Sequence, residues 1–555
     1  MAVEIACDES RAVVQSLAMS GPGTPPSRLT LRQRGEGGAL GLLAAGWLMA
    51  GLVALGAEPA VDYEGGDGVD DGFAGLPAEE RAARRSCIMC HLFVEPDMLT
   101  RKNWAEQILP RMQARLGVAK PDYASSPEGE LIRARKIYPE QPMIPVEDWP
   151  LIESYFLENA PEQALPQDPN PPIGIGLKLF KTDPPRVRFE PPSTTMVKIA
   201  PGSRRIYVGD DRSQRLAVLD GVTGRPLTAT SVGNVPVDLV ERDNGYFVTG
   251  LGSFIPTEYW RAELLFVEKS GEGFGSTKRI LQNLPRTTQA SFADFNGDGR
   301  EDFVLCMFGN LTGRFSWFEQ LTDGGYREHV LTEHTGATRV AVHDFNDDGH
   351  PDLAVLFSQD LEMLILMIND GKGNFTGQAV FQEPPVFGFT YFELVDFNQD
   401  GRMDLLVCNG DNGEYESPTK RYHGIRLWLN QGGLQFEQAW FYPMNGAYAA
   451  LARDFDEDGD LDIAAISYFP DYENNPRESF VYLENDGKMN FTASTFRECI
   501  SGRWLVMDAG DIDGDGDLDI VLGSYIHGPI SAPGFLAETW ERQGASVQIL
   551  RNTLR

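Results

Sequence analysis

Hydrophobic and polar positions change their rhythm along the chain. Between residues 100 and 161 apolar side chains recur at helical spacing. The stretch TRKNWAEQILPRMQARLG (100–117) predicts a helix capped by Thr100 and ended at Gly117. PEGELIRARKIY (127–138) predicts a second helix. PVEDWPLIESYFLENAP (145–161) predicts a third, with Trp149, Ile152, Tyr155 and Phe156 on one face. Further on, the apolar runs become short and continuous: FVLCM, LAVLF, LLVC, IAAI and IVLG. Each is bounded by Gly, Asp and Asn and reads as a buried strand.

Each of those runs follows one recurring nonapeptide: DFNGDGRED at 294–302, DFNDDGHPD at 344–352, DFNQDGRMD at 396–404, DFDEDGDLD at 454–462 and DIDGDGDLD at 511–519. The first Asp residues are 50, 52, 58 and 57 positions apart, a period that signals an array of one small unit. Positions 1, 3, 5 and 9 always carry side-chain oxygen, and position 6 is always Gly, which turns the chain through positive φ. A hard divalent cation takes several such oxygens, so calcium suits this set better than zinc. Without a cation the carboxylates would repel one another.

The expected calcium ligands are Asp294, Asn296, Asp298 and Asp302; Asp344, Asn346, Asp348 and Asp352; Asp396, Asn398, Asp400 and Asp404; Asp454, Asp456, Asp458 and Asp462; Asp511, Asp513, Asp515 and Asp519. Arg300, His350, Arg402, Asp460 and Asp517 at position 7 would add their backbone carbonyls. An EF-hand is excluded, because position 12 is Leu305, Val355, Val407, Ala465 or Leu522 rather than Glu.

A second piece recurs downstream of the loops: LILMINDGKGNF (364–375), RLWLNQGGLQF (426–436), VYLENDGKMNF (481–491) and a looser SWFEQLTDGGY (316–326). Strand, Gly-containing turn and aromatic restart make a hairpin. With the loop and its strand this gives about four strands per unit, the proportions of a propeller blade. The repeats resemble the FG-GAP/VCBS class of calcium-loop propellers, related to the integrin alpha subunit, over about residues 287–555. Residues 233–254 look like a worn copy with 241–247 in the place of the loop, and 197–221 like another, so seven blades are expected. The segment 546–552 is expected to close the ring against the first blade.

Upstream, Cys87-Ile88-Met89-Cys90-His91 has the spacing of c-type haem attachment. The two thiols reach the vinyl groups from one turn of chain, and the adjacent His serves as axial ligand to the iron. A CxxC disulfide, a zinc site and a thioredoxin-like motif compete, but no further zinc ligands are spaced nearby and no βαβ pattern surrounds the motif. A thioether is the usual sixth ligand. Met112 is favoured, with Met143 the alternative and Met98 also available. Residues 78–165 resemble the small cytochrome c domains fused to such repeats.

Composition adds location and partners. The 555 residues carry a formal net charge of −33, which disfavours nucleic acid. Residues 1–38 are polar and aperiodic and read as a disordered or mis-assigned start. Basic residues then precede an 18-residue apolar run, so 39–57 reads as a signal peptide or membrane anchor and places the chain in the periplasm or outside the cell. Residues 58–77 and the Pro-rich 166–192 read as linkers. Cys306 and Cys408 lie at equivalent strand positions in non-neighbouring repeats and are expected as buried free thiols.

The expected architecture is a small all-α haem domain followed by an all-β propeller at 193–555. The expected role is electron transfer, with haem c and calcium as cofactors. The propeller would dock a redox partner protein or hold an extracellular substrate. A propeller-based periplasmic dehydrogenase draining electrons to the haem and an integrin-like module binding a protein or glycan are the alternatives. No catalytic His/Asp or Glu pair stands outside the repeats.

Overall fold

The computed structural model describes residues 73–200, 202–413, 418–528 and 532–555. The expected signal or anchor at 39–57 lies outside them. Among the described residues no helix is long and apolar enough to cross a membrane.

Seven sheets form the β part. Blades 1 to 7 span 194–231, 236–284, 289–332, 337–382, 389–443, 447–495 and 504–552. Consecutive strands pair antiparallel, and the first strand of each blade packs against the first strand of the next, returning from blade 7 to blade 1. The chain is therefore a seven-bladed β-propeller whose first strands surround a central channel. Their residues are largely half-buried, whereas the second strands of blades 3 to 7 are buried throughout. This explains why those second strands read as unbroken apolar runs. Cys306 and Cys408 are buried free thiols on two of them.

The ring closes differently from the sequence expectation. Val547–Asn552 is the third strand of blade 7 and does not pair with blade 1. Its outer neighbour is Phe180–Thr182, which adds antiparallel as the fourth strand. Gly174–Ile175 similarly adds parallel to the rim of blade 6. Both come from the stretch read as a linker. Its Gln167 side chain donates to the carbonyls of Lys420 (3.2 Å) and His423 (2.9 Å), fixing it along the propeller.

The α part contains Ala78–Cys87, a helix from Arg101 to Arg115, Gly129–Ala134 and Trp149–Asn159. Thr100 Oγ1 accepts from the Asn103 N–H, as its capping role requires. Pro110 cannot donate to the carbonyl four residues earlier, and the helix relaxes into a π turn at Trp104–Ile108. Trp104 stacks on Phe156 with ring centroids 4.1 Å apart, joining the long helix to the last one. The second helix is shorter than 127–138. Lys136 adopts φ +53°, and the neighbouring Arg135 turns to the propeller.

That turn ties the two parts together. Glu258, fully buried, accepts from Arg135 (2.6 Å), from Thr312 Oγ1 (2.7 Å) and from the Leu311 N–H (2.6 Å). Glu128 reaches the Glu258 N–H at 2.8 Å. Farther along, Arg421 pairs with Asp97 at 2.9 Å, and Val386, Phe387 and Tyr422 of the propeller join the helical core. Arg135→Ala would leave Glu258 buried without its cation. We expect roughly 2–3 kcal/mol lost from stability, read by chemical denaturation; an unchanged midpoint would mean that the ion pair does not hold the parts together.

Candidate metal loops and the cysteine–histidine segment

Each nonapeptide joins the first strand of a blade to the second, so all five loops lie at one end of the propeller. The ninth-position carboxylates, expected as metal ligands, are buried and gripped by backbone. Asp302 accepts from the Gln320 N–H at 2.7 Å and from the Phe295 N–H at 3.2 Å. Asp352 takes Asn369 (2.7 Å) and Phe345 (2.9 Å); Asp404 takes Asn430 (2.8 Å) and Phe397 (2.9 Å); Asp519 takes Asn552 (2.8 Å) and Ile512 (3.3 Å). Asp462 takes the Asn485 N–H at 2.9 Å and the Tyr482 hydroxyl at 2.6 Å. Each carboxylate therefore joins its loop or its own blade to the end of the third strand. A carboxylate oxygen has two lone pairs, so one remains on each for a cation.

Sequence reading missed the third-strand partners. Asn369, Asn430, Asn485 and Asn552 hold those positions, and their side-chain amides donate to the carbonyl just before the ninth residue of the loop. Asn369 also reaches Phe295 O at 2.9 Å and Asn552 reaches Phe455 O at 2.8 Å, each on the preceding blade. The signal was present as the Asn that ends MIN, WLN, LEN and LRN.

The remaining ligands divide the loops into two groups. Position 1 accepts from loop amides in both groups: Asp294 from Gly297 and Gly299 (2.8 Å each), Asp344 from Gly349 (2.7 Å), Asp396 from Gly401 (2.9 Å), Asp454 from Gly459 (3.2 Å) and Asp511 from Gly514 (2.6 Å), so position 7 is what divides them. Asn296, Asn346 and Asn398 accept from the position 5 N–H at 3.1 Å. Position 7, from which only a backbone carbonyl was expected, brings a side chain with consequences. Arg300 pairs with Asp298 and Arg402 with Asp400, while the His350 ring packs on Gly371.

The last two loops carry Asp at positions 1, 3, 5, 7 and 9. Asp454, Asp456 and Asp458 converge, as do Asp511, Asp513 and Asp519, each set with oxygens within 4.8 Å of one another. Asp454, Asp460 and Asp517 each hold a buried carboxylate oxygen without a hydrogen-bond partner among the described residues. Burial, and then the neighbouring carboxylates, raise the pKa values of Asp456 and Asp460. Burial pushes Asp462 up to about 6 and Asp519 up to about 7. Such orphaned and strained carboxylates fit a bound cation. Around the last loop Arg551 supplies part of the missing charge, 2.9 Å from Asp513.

The cysteine–histidine segment begins where helix Ala78–Cys87 ends. That helix buries only Ala82, Ala83 and Ser86, so it had little apolar periodicity to reveal it. Cys87 is half-buried and Cys90 exposed, both as free thiols. Burial pushes the Cys87 thiol up to about 12. Nδ1 of His91 faces Leu92 O at 2.8 Å, which directs the other ring nitrogen, Nε2, to any ligand. Ile88, Met89 and Leu92 are exposed around these residues. Met112 packs against the same helical core as Cys87, whereas Met143 is 49 % exposed.

Two overlapping stretches, 294–355 and 344–407, match the FG-GAP-like repeat. No curated protein sequence matches the chain. Solved structures similar to it include the Pan2 WD40 domain of Neurospora crassa, at 8 % identity over 68 % of this chain and 97 % of that one (TM-score 0.43). Sqt1 of Saccharomyces cerevisiae is similar at 7 % identity over 66 % and 97 % (TM-score 0.38). Regucalcin, a calcium-binding protein of Agrobacterium tumefaciens, is similar at 8 % identity over 56 % and 95 % (TM-score 0.35). At these identities and scores the likenesses carry no functional argument. The chain is thus a seven-bladed β-propeller that carries FG-GAP-like repeats over 294–407.

Proposed function

We propose that the chain is an exported c-type cytochrome in which a calcium-stiffened propeller docks a redox partner. The observation that carries this reading is the segment 87–91. Two unpaired thiols and a His with its Nδ1 already tied to backbone stand among exposed apolar side chains that a flat apolar group would cover. Cys87 and Cys90 would form the thioethers and His91 would be the axial ligand. Met112 is preferred as sixth ligand because it shares the apolar core with Cys87, and Met143 is the alternative. When bound, haem supplies one-electron chemistry. The helices hold the segment in place, and the Arg135–Glu258 anchor holds the helices on the propeller, so a partner docked there meets the haem at a fixed position. The expected haem attachment and the apolar run at 39–57 both support a location in the periplasm or beyond it.

Calcium is the second part of the proposal, with the last two loops as its foremost sites. Each has five Asp side chains, three of which converge, and carries orphaned carboxylate oxygens, and neither has an Arg or His at position 7.

Produced in a host that matures c-type cytochromes, the chain should show a reduced α-band that survives denaturation. Cys87→Ser with Cys90→Ser should abolish it, and Met112→Ala should alter the spectrum more than Met143→Ala. Cys87 and Cys90 joined as a disulfide without haem would end the electron-transfer reading.

Raised folded-state values for Asp462 and Asp519 have a defined sign. A folded carboxylic acid that holds its proton more tightly than the unfolded one stabilises the fold at low pH. That contribution is lost as pH rises from about 4 through about 7. In chelator, the melting temperature should therefore fall over this window, and calcium should flatten or reverse the slope. A chelated protein that melts higher at pH 8 than at pH 5 would contradict the account.

Finally, Asp458→Asn should remove much of the calcium-induced rise in melting temperature, while Asp298→Asn should remove little. Equal losses from both variants would make the five loops equivalent.

A further inference from the structure

The end of the channel opposite the metal loops gathers a different set of groups. Arg286 comes from the connection between blades 2 and 3, Asp411 from the turn after the second strand of blade 5, Tyr448 from the first strand of blade 6, and Arg503 from the entry to blade 7. Arg286 donates Nε to Ser253 O (3.0 Å), one Nη to Phe254 O (2.9 Å) and the other to Gly309 O (3.2 Å). A guanidinium has five N–H donors, so one on each Nη is left without a protein acceptor among the described residues. Tyr448 lies in the field of Arg286, Arg503, Asp411 and Tyr468, and its hydroxyl has no hydrogen-bond partner among the described residues. Burial raises its pKa, so the phenol stays a donor at neutral pH. Both Arg286 and Tyr448 are only half-buried and remain open to solvent.

Aromatic faces line the same opening. Phe254 of blade 2 crosses to stack on Tyr525 of blade 7 at 3.9 Å, and Tyr448 meets Tyr468 at 5.4 Å. Arg503 lies 4.0 Å over the Tyr468 ring. The guanidiniums of Arg286 and Arg503 face Asp411 here, and Asp211 accepts from the Tyr525 hydroxyl at 2.7 Å on the same rim, so the open N–H groups of Arg286, rather than an excess of positive charge, are what the mouth offers an anion.

We propose that this mouth binds a small carboxylate carried on a flat ring. The two remaining N–H groups of Arg286 point from a planar fork, the geometry that matches a carboxylate. The Tyr448 hydroxyl supplies a third donor, and the aromatic rings supply faces for the body of the ligand. The site depends on neither the haem segment nor the metal loops.

The test is calorimetric titration of the full chain with benzoate, with benzamide as its uncharged isostere and inorganic phosphate as an anion without a ring. Benzoate should bind one per chain, benzamide at least about tenfold more weakly, and phosphate should not displace benzoate. Arg286→Gln should weaken benzoate about tenfold or more, and Tyr448→Phe, which keeps the ring, several-fold. If Arg286→Gln does not fold, Tyr448→Phe decides. No benzoate binding up to about 10 mM, equal binding of benzamide, displacement by phosphate, or wild-type affinity in Tyr448→Phe would each overturn the assignment.

Discussion

One buried carboxylate per blade, accepting two hydrogen bonds of which one always comes from the end of the third strand, is the constraint on which blades 3 to 7 depend. The ninth residue of each loop is almost wholly removed from water, and burying a bare carboxylate is costly unless hydrogen bonds replace the lost hydration. Backbone N–H groups meet that need at Asp302, Asp352, Asp404 and Asp519, and a backbone N–H with a tyrosine hydroxyl does so at Asp462. Because one donor always lies at the end of the third strand, the carboxylate fixes where that strand must stop. The Asn amides that extend from Asn369 and Asn552 to the preceding blade carry the same register across the ring. This frame holds without any cation, and the oxygens that a cation would use belong mostly to positions 1, 3, 5 and 7.

Much of this was legible in the sequence because repetition converts a weak local signal into a strong one. A single Asp/Gly turn says little, but five at a regular period, each followed by an apolar run, fix the blade and its second strand. The two worn copies without ligands were still readable, since strand burial demands the same apolar spacing with or without a loop. Helix Ala78–Cys87 was not readable, because it packs through small residues that carry no periodic hydrophobic signal. Nor was the role of Phe180–Thr182, whose three residues find their partner only through the closed ring. Likewise, the unequal character of the loops emerged only once neighbours were in place. Arg300 and Arg402 read as residues offering a carbonyl, yet each guanidinium pairs with the position 5 carboxylate of its own loop and offsets part of that loop's charge.

The two ends of the propeller thus have opposite chemistry. One end presents five acidic loops, two of them with buried carboxylate oxygens that have no hydrogen-bond partner among the described residues. At the other are the helices, the buried Glu258 anchor and a mouth framed by Arg286 and Arg503. Because the cysteine–histidine segment belongs to helices held at this second end, that segment and the channel mouth share one face, while the acidic loops lie on the opposite one.

Closure by Phe180–Thr182 also bears on how the chain is made. Its partner strand, Val547–Asn552, is the last element of the chain, about 370 residues later (Asp183 and Arg551 are 368 apart). During synthesis the early strand emerges long before anything can pair with it. Through that interval it presents open N–H and C=O groups, a template for the wrong strand. Its shortness and the prolines that follow it, Pro184 and Pro185, limit that hazard. A chain cut short anywhere before residue 547 would leave the ring open at this seam, whatever the quality of its first six blades.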